Sequence, residues 1–146
     1  MHPTSSFAII CGFALCLAVT TGHAQEKLSY KCTFGPGSTA NWDSGEIVIK
    51  RANFGKPSTA IQYDAIDLVA GTARVIGNGG SSDVVALNTG AGITLIESTP
   101  SGNLSFVTIF RANRVGEVER KAAMSRHIND PTGPFPSQYY GICIPW

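Results

Sequence analysis

The segment Gln138-Tyr139-Tyr140-Gly141-Ile142-Cys143 decides how the chain is expected to close. It is a short run rich in aromatic residues, typical of a strand, and it ends in a cysteine. Near the other end, Leu28-Ser29-Tyr30-Lys31-Cys32-Thr33-Phe34 alternates apolar and polar residues, which is the period of a half-buried strand. A disulfide between Cys32 and Cys143 would place the first and last strands side by side.

The first 24 residues have the pattern of a secretory signal peptide. Phe7 to Val19 is an apolar run of 13 residues, shorter than the roughly 20 that a membrane-spanning helix needs. Because Met1 to Ser6 contains no Lys or Arg, a short uncleaved anchor is the alternative. We therefore expect cleavage after Ala24, which leaves residues 25–146 as one secreted or periplasmic domain without a membrane span.

Cysteine usage predicts one disulfide. Cleavage removes Cys11 and Cys16 and leaves Cys32 and Cys143, which a secreted protein most simply joins. The bridge would close a loop of roughly 110 residues and stabilise the fold by about 4–5 kcal/mol in the chain-entropy model. Two buried free thiols are the alternative.

If Cys143 points inward to meet Cys32, the strand containing it has a defined inner face. Successive side chains on a strand point to opposite sides of the sheet. Tyr139 and Gly141 are then expected to point inward, and Tyr140 and Ile142 outward.

Strand-like segments separated by glycine-rich turns fill the chain between the two cysteines. Their spacing of about 8–12 residues is typical of an all-β sandwich or barrel. Short connections favour pairing of sequence neighbours in up-and-down order. Since a tie between the terminal strands would close the sheet, we expect a small eight-stranded antiparallel up-and-down barrel closed by one disulfide. A β-sandwich is the alternative.

Composition predicts two irregular regions. Gly35-Pro36-Gly37-Ser38 is predicted to be a turn, followed by a polar loop that carries Trp42, and Asn129 to Ser137 is predicted to be a loop because it holds three prolines and a glycine. The segment Gly116 to Ile128 fits either a polar strand or a short helix.

Charge and ligand content exclude several classes of function. All 11 Lys and Arg and all 10 Asp and Glu lie after Ala24, so the net charge of +1 gives no basic surface for nucleic acid. Residues 25–146 contain a single histidine, His127, whereas zinc sites need three or four ligands. No phosphate-loop or EF-hand pattern is present. We expect no metal, no cofactor and no nucleic-acid partner.

Ser125 and His127 are the one pair that suggests nucleophilic catalysis. Two residues apart on a strand, they share a face and lie within reach of a hydrogen bond. The histidine would need an orienting carboxylate from Asp64, Asp67 or Asp130, and no G-x-S-x-G motif surrounds the serine. A polar strand face is the simpler interpretation. We expect no enzymatic activity, with a small serine hydrolase using Ser125 and His127 as an alternative.

Aromatic residues near loops and chain ends give the remaining indication of function. They are Trp42, Phe54, Tyr63, Phe135, Tyr139, Tyr140 and Trp146. Gathered at a barrel mouth, several would bind an apolar ligand or a protein, whereas packed inward they would plug the barrel end. We expect a non-catalytic module that binds a protein or a small apolar ligand. The candidate binding residues are Trp42, Tyr139, Tyr140, Arg126 and His127.

Two families share parts of this layout. Tyr30-Lys31-Cys32 just after the signal, a following chain of about eight strands and a terminal cysteine resemble the small secreted bacterial β-barrels that inhibit c-type lysozyme. This resemblance implies a lysozyme-type inhibitor as an alternative function. The inhibitory loop motif of that family is not present, so no site residue is carried over. Ser125-Arg126-His127, followed by Pro136 to Cys143, is similar to the end of small uncharacterised secreted proteobacterial proteins, which implies no known function.

Overall fold

A computed structural model describes residues 26–56 and 59–146, so the predicted signal peptide lies outside the described residues. The described chain forms nine strands that pair antiparallel, and none of it forms a helix able to cross a membrane. The strands are β1 (Leu28–Asp43), β2 (Glu46–Asn53), β3 (Ala60–Asp67), β4 (Thr72–Gly77), β5 (Gly80–Thr89), β6 (Gly92–Ser98), β7 (Leu104–Phe110), β8 (Arg120–Asp130) and β9 (Gly133–Pro145).

Eight of the nine strands form a closed barrel. From β3 to β9 each strand pairs with the next one along the chain, while β1 pairs with β3 on one side and with β9 on the other. Short hairpin connections explain this order, because they bring sequence neighbours together before distant segments meet. The predicted all-β, eight-stranded barrel is confirmed, and β2 is an additional strand outside the closed ring.

The predicted disulfide is present where the first and last strands meet. Cys32 and Cys143 are register partners in β1 and β9, their Cα atoms lie 4.0 Å apart, and they are 111 positions apart in sequence. Both side chains are fully buried. A bond of this kind indicates an oxidising environment such as the periplasm or the exterior of the cell.

Alternate side chains of each barrel strand fill the interior. In β9, Tyr139 is 7% exposed and Tyr140 is 55% exposed, which confirms the predicted alternation. Burying each aliphatic side chain of this core stabilises the fold by about 1.5–3 kcal/mol. The largest fully buried side chains, apart from the disulfide, are Ile66, Leu95, Val107 and Ile109.

The predicted turn at Gly35-Pro36-Gly37-Ser38 is wrong, because β1 continues through it. The strand bends instead, and its register with β9 shifts between Phe34 and Gly37. Pro36 lies within this shift and has no β9 partner, so its missing N–H leaves no gap in that ladder. A Cβ at Gly37 would overlap the backbone of Gln138, so only glycine permits the close approach of β1 to β9.

Two further loop predictions are wrong. The region around Trp42 is strand, and it turns into β2 through Ser44 and Gly45, which both have positive φ. The predicted loop Asn129 to Ser137 is mostly strand, because β8 extends to Asp130 and β9 begins at Gly133. The fixed φ of proline is compatible with extended backbone, and continuous pairing with β8 outweighs the loop-like composition. The ambiguous segment Gly116 to Ile128 is strand from Arg120 onward.

The second half of β1 and the additional strand form a hairpin that we call the flap, residues 36–43 and 46–53. It is attached to the barrel because residues 37–39 of β1 also pair with β9. Ala52 and the following Phe54 pack against the barrel core. The flap is therefore an extension of the barrel wall beyond one end of the closed ring.

Candidate functional site

The flap has an inner and an outer face. Gly37 pairs with the inward-pointing Tyr139, so the side chains next to it on the inner face are those of Thr39 and Ala52. Apolar residues occupy the opposite, outer face: Trp42 is 50% exposed, Ile47 62% and Ile49 71%. Trp42 and Ile47 are register partners, so their side chains lie next to each other.

A set of connected grooves follows the outer face from the flap onto the barrel, and we call it the flap groove. Its three sections have volumes of about 230, 570 and 510 Å³. The first and second sections share Ser38, and the second and third share Pro36, Asn53 and Tyr140. Further along, the groove is lined by Ala40, Ile49, Ser125, His127, Pro136 and Gln138 at one end and by Phe54 and Ile142 at the other.

The five predicted binding residues divide between the two faces. His127 and Tyr140 line the flap groove, and Trp42 lies beside it at the tip of the flap. Tyr139 and Arg126 share the inner face, since Arg126 pairs with Ser137 two residues before Tyr139. The structure therefore brings three of the five together on one continuous surface and places the other two behind it.

The inner residues form an aromatic plug at one end of the barrel. The ring of Phe54 packs edge-on against Phe34, with centroids 6.0 Å apart, and against Tyr139 at 5.3 Å. The guanidinium of Arg126 lies 5.8 Å from the centroid of Phe54, a cation–π contact. These side chains contact one another, so the packing is that of a closed end, the alternative that the sequence left open.

Electrostatics at this end centre on Tyr63. Burial raises the pKa of its phenol above the usual value, the nearby carboxylate of Glu97 raises it further, and the guanidinium of Arg126 acts in the opposite direction. Glu97 also accepts a hydrogen bond from Ser82 at 3.2 Å. The phenol therefore stays neutral at any physiological pH and contributes to packing in its protonated form.

The other aromatic residues are far apart. Trp42 lies at the end of β1, whereas the backbone N–H of Trp146 donates to the carbonyl of Ser29 at the start of the same strand. A strand rises about 3.3 Å per residue, so these two tryptophans lie near opposite ends of the molecule. The structure does not gather all the aromatic residues at one mouth.

Ser125 and His127 share the outer face, as their spacing predicts, and both line the groove. The imidazole of His127 packs against Phe106, with ring centroids 5.6 Å apart. The three carboxylates considered as orienting acids bond elsewhere: Asp64 with Ser29 and Arg74, Asp67 with the backbone of Val69 and Ala70, and Asp130 with Thr132. The hydrolase alternative stays a prediction that no acid contact in the described chain supports.

Comparison of the chain with protein-family models, with curated proteins and with solved structures found no match. Within residues 26–56 and 59–146, no group of three or more His, Cys, Asp and Glu side chains is placed to hold a metal ion.

The exposure of the isoleucines of β2 was not predicted from the sequence. Ile47 and Ile49 alternate with Glu46 and Lys50, the pattern of a strand whose apolar face lies on a core. That pattern is the same for a strand inside a closed ring and for one outside it. No signal within the segment distinguishes the two cases.

Proposed function

We propose that this protein is a secreted or periplasmic, non-catalytic binding module that recognises a protein partner through the flap groove. The observation that carries the proposal is the exposure of Trp42, Ile47 and Ile49 together on one face of the flap. Contiguous apolar surface rimmed by polar residues is typical of protein–protein contact sites. The predicted signal peptide and the disulfide together support a location outside the cytoplasm.

The shape of the groove favours a protein over a small apolar ligand. Small-molecule sites are concave and enclose most of their ligand, whereas the flap groove is long and open. The barrel interior, where a small ligand would otherwise bind, is occupied by side chains such as Leu95, Val107 and Ile109. An open surface of this kind suits a partner that covers the flap from outside.

The residue types along the groove also suit a protein partner. Tryptophan and tyrosine, here Trp42 and Tyr140, are enriched among the residues that dominate binding energy in protein interfaces. Polar side chains such as Ser38 and Gln138 line the same groove and would form the rim of the contact. Tyr140 and Gln138 lie on β9, a strand of the closed ring, so little ordering of these two side chains is needed when a partner binds.

Site-specific photo-crosslinking tests the proposal. A photoreactive residue is placed at Ile49, and a matched one at Leu87, an exposed apolar position on β5 outside the flap. We expect a discrete crosslinked protein, distinct from a second copy of this chain, from the Ile49 position and none from Leu87. Crosslinking of equal yield at both positions, or none at Ile49, would contradict recognition by the flap.

Reconstitution then measures the contribution of the groove. With the crosslinked protein purified, Trp42→Ala and Ile47→Asp are each expected to weaken binding about tenfold or more, as for central interface residues. The Leu87→Asp control should bind as the wild type does. An unchanged affinity in both flap variants would place the contact elsewhere.

Lysozyme is the partner that the resemblance implies, and it is tested directly. Inhibition of a c-type lysozyme by micromolar protein, lost in Ile49→Asp and kept in Leu87→Asp, would identify it as the flap partner. Absence of inhibition would remove lysozyme and leave the crosslinking experiment to find another partner.

A further inference from the structure

β2 has a free edge. Within the described chain it pairs with β1 along one side and with no strand along the other. The two-residue turn makes Asp43 and Glu46 the last hydrogen-bonded pair of the hairpin. Alternate residues of β2, namely Ile47, Ile49 and Arg51, therefore direct their backbone N–H and C=O groups away from β1.

This edge lacks several of the features that usually protect exposed strands. Protected edges are short, carry prolines or bulges, or present charged side chains, and of these β2 has only the charges, on Glu46, Lys50 and Arg51. β2 runs for eight residues, contains no proline, and pairs with β1 without a register shift. Its backbone groups form a ready template for an additional strand.

We propose that the free edge of β2 pairs with β2 of a second copy, forming an antiparallel dimer with two-fold symmetry. The argument for a second copy is the charge pattern of the strand, Glu46-Ile47-Val48-Ile49-Lys50. A two-fold axis at Val48 places Glu46 opposite Lys50 of the other copy and Ile47 opposite Ile49. Since symmetry repeats each contact, the dimer has two pairs of opposite charges and two isoleucine pairs.

Other registers lose this complementarity. An axis at Ile49 places Lys50 opposite Val48 and Arg51 opposite Ile47, and an axis at Ile47 places Glu46 opposite Val48. A shift by one residue brings the outer face of one copy beside the inner face of the other. The register centred on Val48 is thus the one that matches both charge and apolar surface.

The backbone supports the same register. With the axis at Val48, Ile47 and Ile49 are the hydrogen-bonding residues of the new ladder, and their N–H and C=O groups are those that β1 leaves free. Glu46 and Lys50 fall in the pairs without hydrogen bonds, where opposing side chains come closest. The hydrogen-bonding pattern and the charge pattern therefore agree.

Ile47 and Ile49 take part in both the dimer and the proposed partner site, but strand pairing also needs the backbone edge of β2 and the charges of Glu46 and Lys50, which the partner site does not use. The charge variants therefore test the dimer separately, and either proposal can fail without the other. Pairing would join the outer faces of two flaps into one wider apolar surface. Because an eight-residue edge buries less than the roughly 1,600 Å² of a standard interface, we expect a reversible, concentration-dependent dimer.

Analytical ultracentrifugation of the oxidised protein tests this association between about 1 µM and about 1 mM, where weak interfaces of this size associate. We expect a monomer–dimer equilibrium. Each of the variants Glu46→Lys and Lys50→Glu places like charges opposite each other at two positions of the dimer. Each should therefore weaken the dimer about tenfold or more. Glu119→Lys and Lys121→Glu make the same charge changes outside the flap and should leave it unchanged.

A double variant with exchanged charges distinguishes the proposed register from a general effect of charge on association. The double variant Glu46→Lys/Lys50→Glu restores both opposite-charge pairs and should dimerise within about threefold of the wild type. A mixture of the two single variants should form the mixed dimer in preference to either homodimer. A protein that is monomeric across the whole range, or a dimer that responds to neither single change, would overturn the proposal.

A backbone change gives an independent test. Ile49→Pro removes an N–H that points to the free edge, so pairing with β1 is retained while pairing with a second copy is blocked. Ile49→Thr keeps the N–H and a β-branched side chain, and should retain most of the dimer. Dimerisation of the proline variant at wild-type strength would show that the edge is not the interface.

Discussion

β1 belongs to two regions of the molecule that use the same strand in different ways. In its first half, Cys32 and Phe34 point into the barrel and are buried. In its second half, residues 36–43 also point alternately to the two faces, yet none of them is fully buried. Both halves are extended and hydrogen-bonded on both sides for part of their length, so backbone conformation does not account for the difference.

Closure of the sheet makes the difference between the barrel and the flap. A barrel strand faces an interior that other strands surround, so its inward side chains are removed from water from every direction. The flap has part of the barrel end beneath its inner face and solvent over its outer face. Stability therefore resides in the barrel, while the flap carries the surface that we propose for binding, the usual division between scaffold and functional segment.

The largest effect is expected from breaking the covalent closure of the barrel. Cys143→Ser should lower the free energy of unfolding by about 2–5 kcal/mol, because the unfolded chain loses a constraint across the loop between Cys32 and Cys143. Urea unfolding measures the change, with Cys32→Ser/Cys143→Ser as control for a lone thiol. Thiol labelling of native residues 25–146 should find no free cysteine. A loss below about 1 kcal/mol would mean that strand pairing alone closes the barrel.

Isoleucine occurs both in the barrel core and on the flap, so its truncation compares the two regions directly. Ile109→Ala in the barrel core should cost about 2–5 kcal/mol, because it leaves a cavity among buried side chains. Ile49→Ala on the outer face of the flap should change stability by no more than about 0.5 kcal/mol. Urea unfolding of both variants measures the contrast. Similar losses at the two positions would show that the flap is part of the stabilising core.

Glycine at the seam between β1 and β9 gives a smaller effect. A Cβ at Gly141 would overlap the backbone of Thr33 and Phe34, so Gly141→Ala should cost about 1–3 kcal/mol. A Cβ at Gly77, in β4, would meet no atom within 4 Å, and Gly77 has no positive φ. Gly77→Ala is therefore expected to be neutral or to stabilise by up to about 1 kcal/mol. A neutral Gly141→Ala would indicate that the seam can widen without loss.

The smallest effect concerns a polar contact on the barrel wall. A hydrogen bond from Ser29 lowers the pKa of Asp64, and contacts from Arg74 and the backbone of Ala65 lower it further. Because the folded-state pKa lies below the unfolded value, the contribution is present at neutral pH and is lost as pH falls below about 4. Asp64→Asn should slightly lower the melting temperature at pH 7 and make the acid-induced loss less steep.

Ser29→Ala removes the first of these contacts and should shift the acid dependence of unfolding in the same direction, by a smaller amount. Thermal unfolding at a series of pH values measures both variants. If Asp64→Asn followed the wild-type pH profile throughout, the carboxylate would contribute nothing specific to the barrel wall.

The barrel could be predicted from the sequence because it depends mainly on the alternation within single strands and on the number of cysteines. Alternation around Cys32 and Tyr139 set which side chains point inward, since neighbouring residues on a strand face opposite sides. Two cysteines remain after the predicted signal cleavage, which left one intramolecular pairing. Together these predicted the closure, the orientation of β9 and the exposure of Tyr140.

The candidate site was predicted in part. Trp42, Tyr140 and His127 were identified by residue type and lie on or beside the flap groove, while Arg126 and Tyr139 contribute to the plug behind it. The isoleucines of β2 were missed. Their exposure depends on where the sheet closes, which alternation within one strand does not specify.

Composition misled where strand pairing was stronger than local preference. Gly35-Pro36-Gly37-Ser38 and the proline-rich segment before Ser137 both have turn-like composition, yet both lie within strands. Pairing with neighbours on both sides holds them extended, and the bulge in β1 accommodates the proline. Local turn preference amounts to a small energy that a continuous ladder exceeds.

The amino-acid sequence by itself determined the class of fold, the disulfide and the inward face of the strands at each end, because period-two alternation and cysteine count act without knowledge of distant partners. Only the tertiary structure decided that β3, not β2, completes the ring beside the first half of β1. That choice depends on the register of all eight strands at once. Among the residues that the structure describes, it left β2 with a free edge and an exposed apolar face, from which both proposed interactions follow.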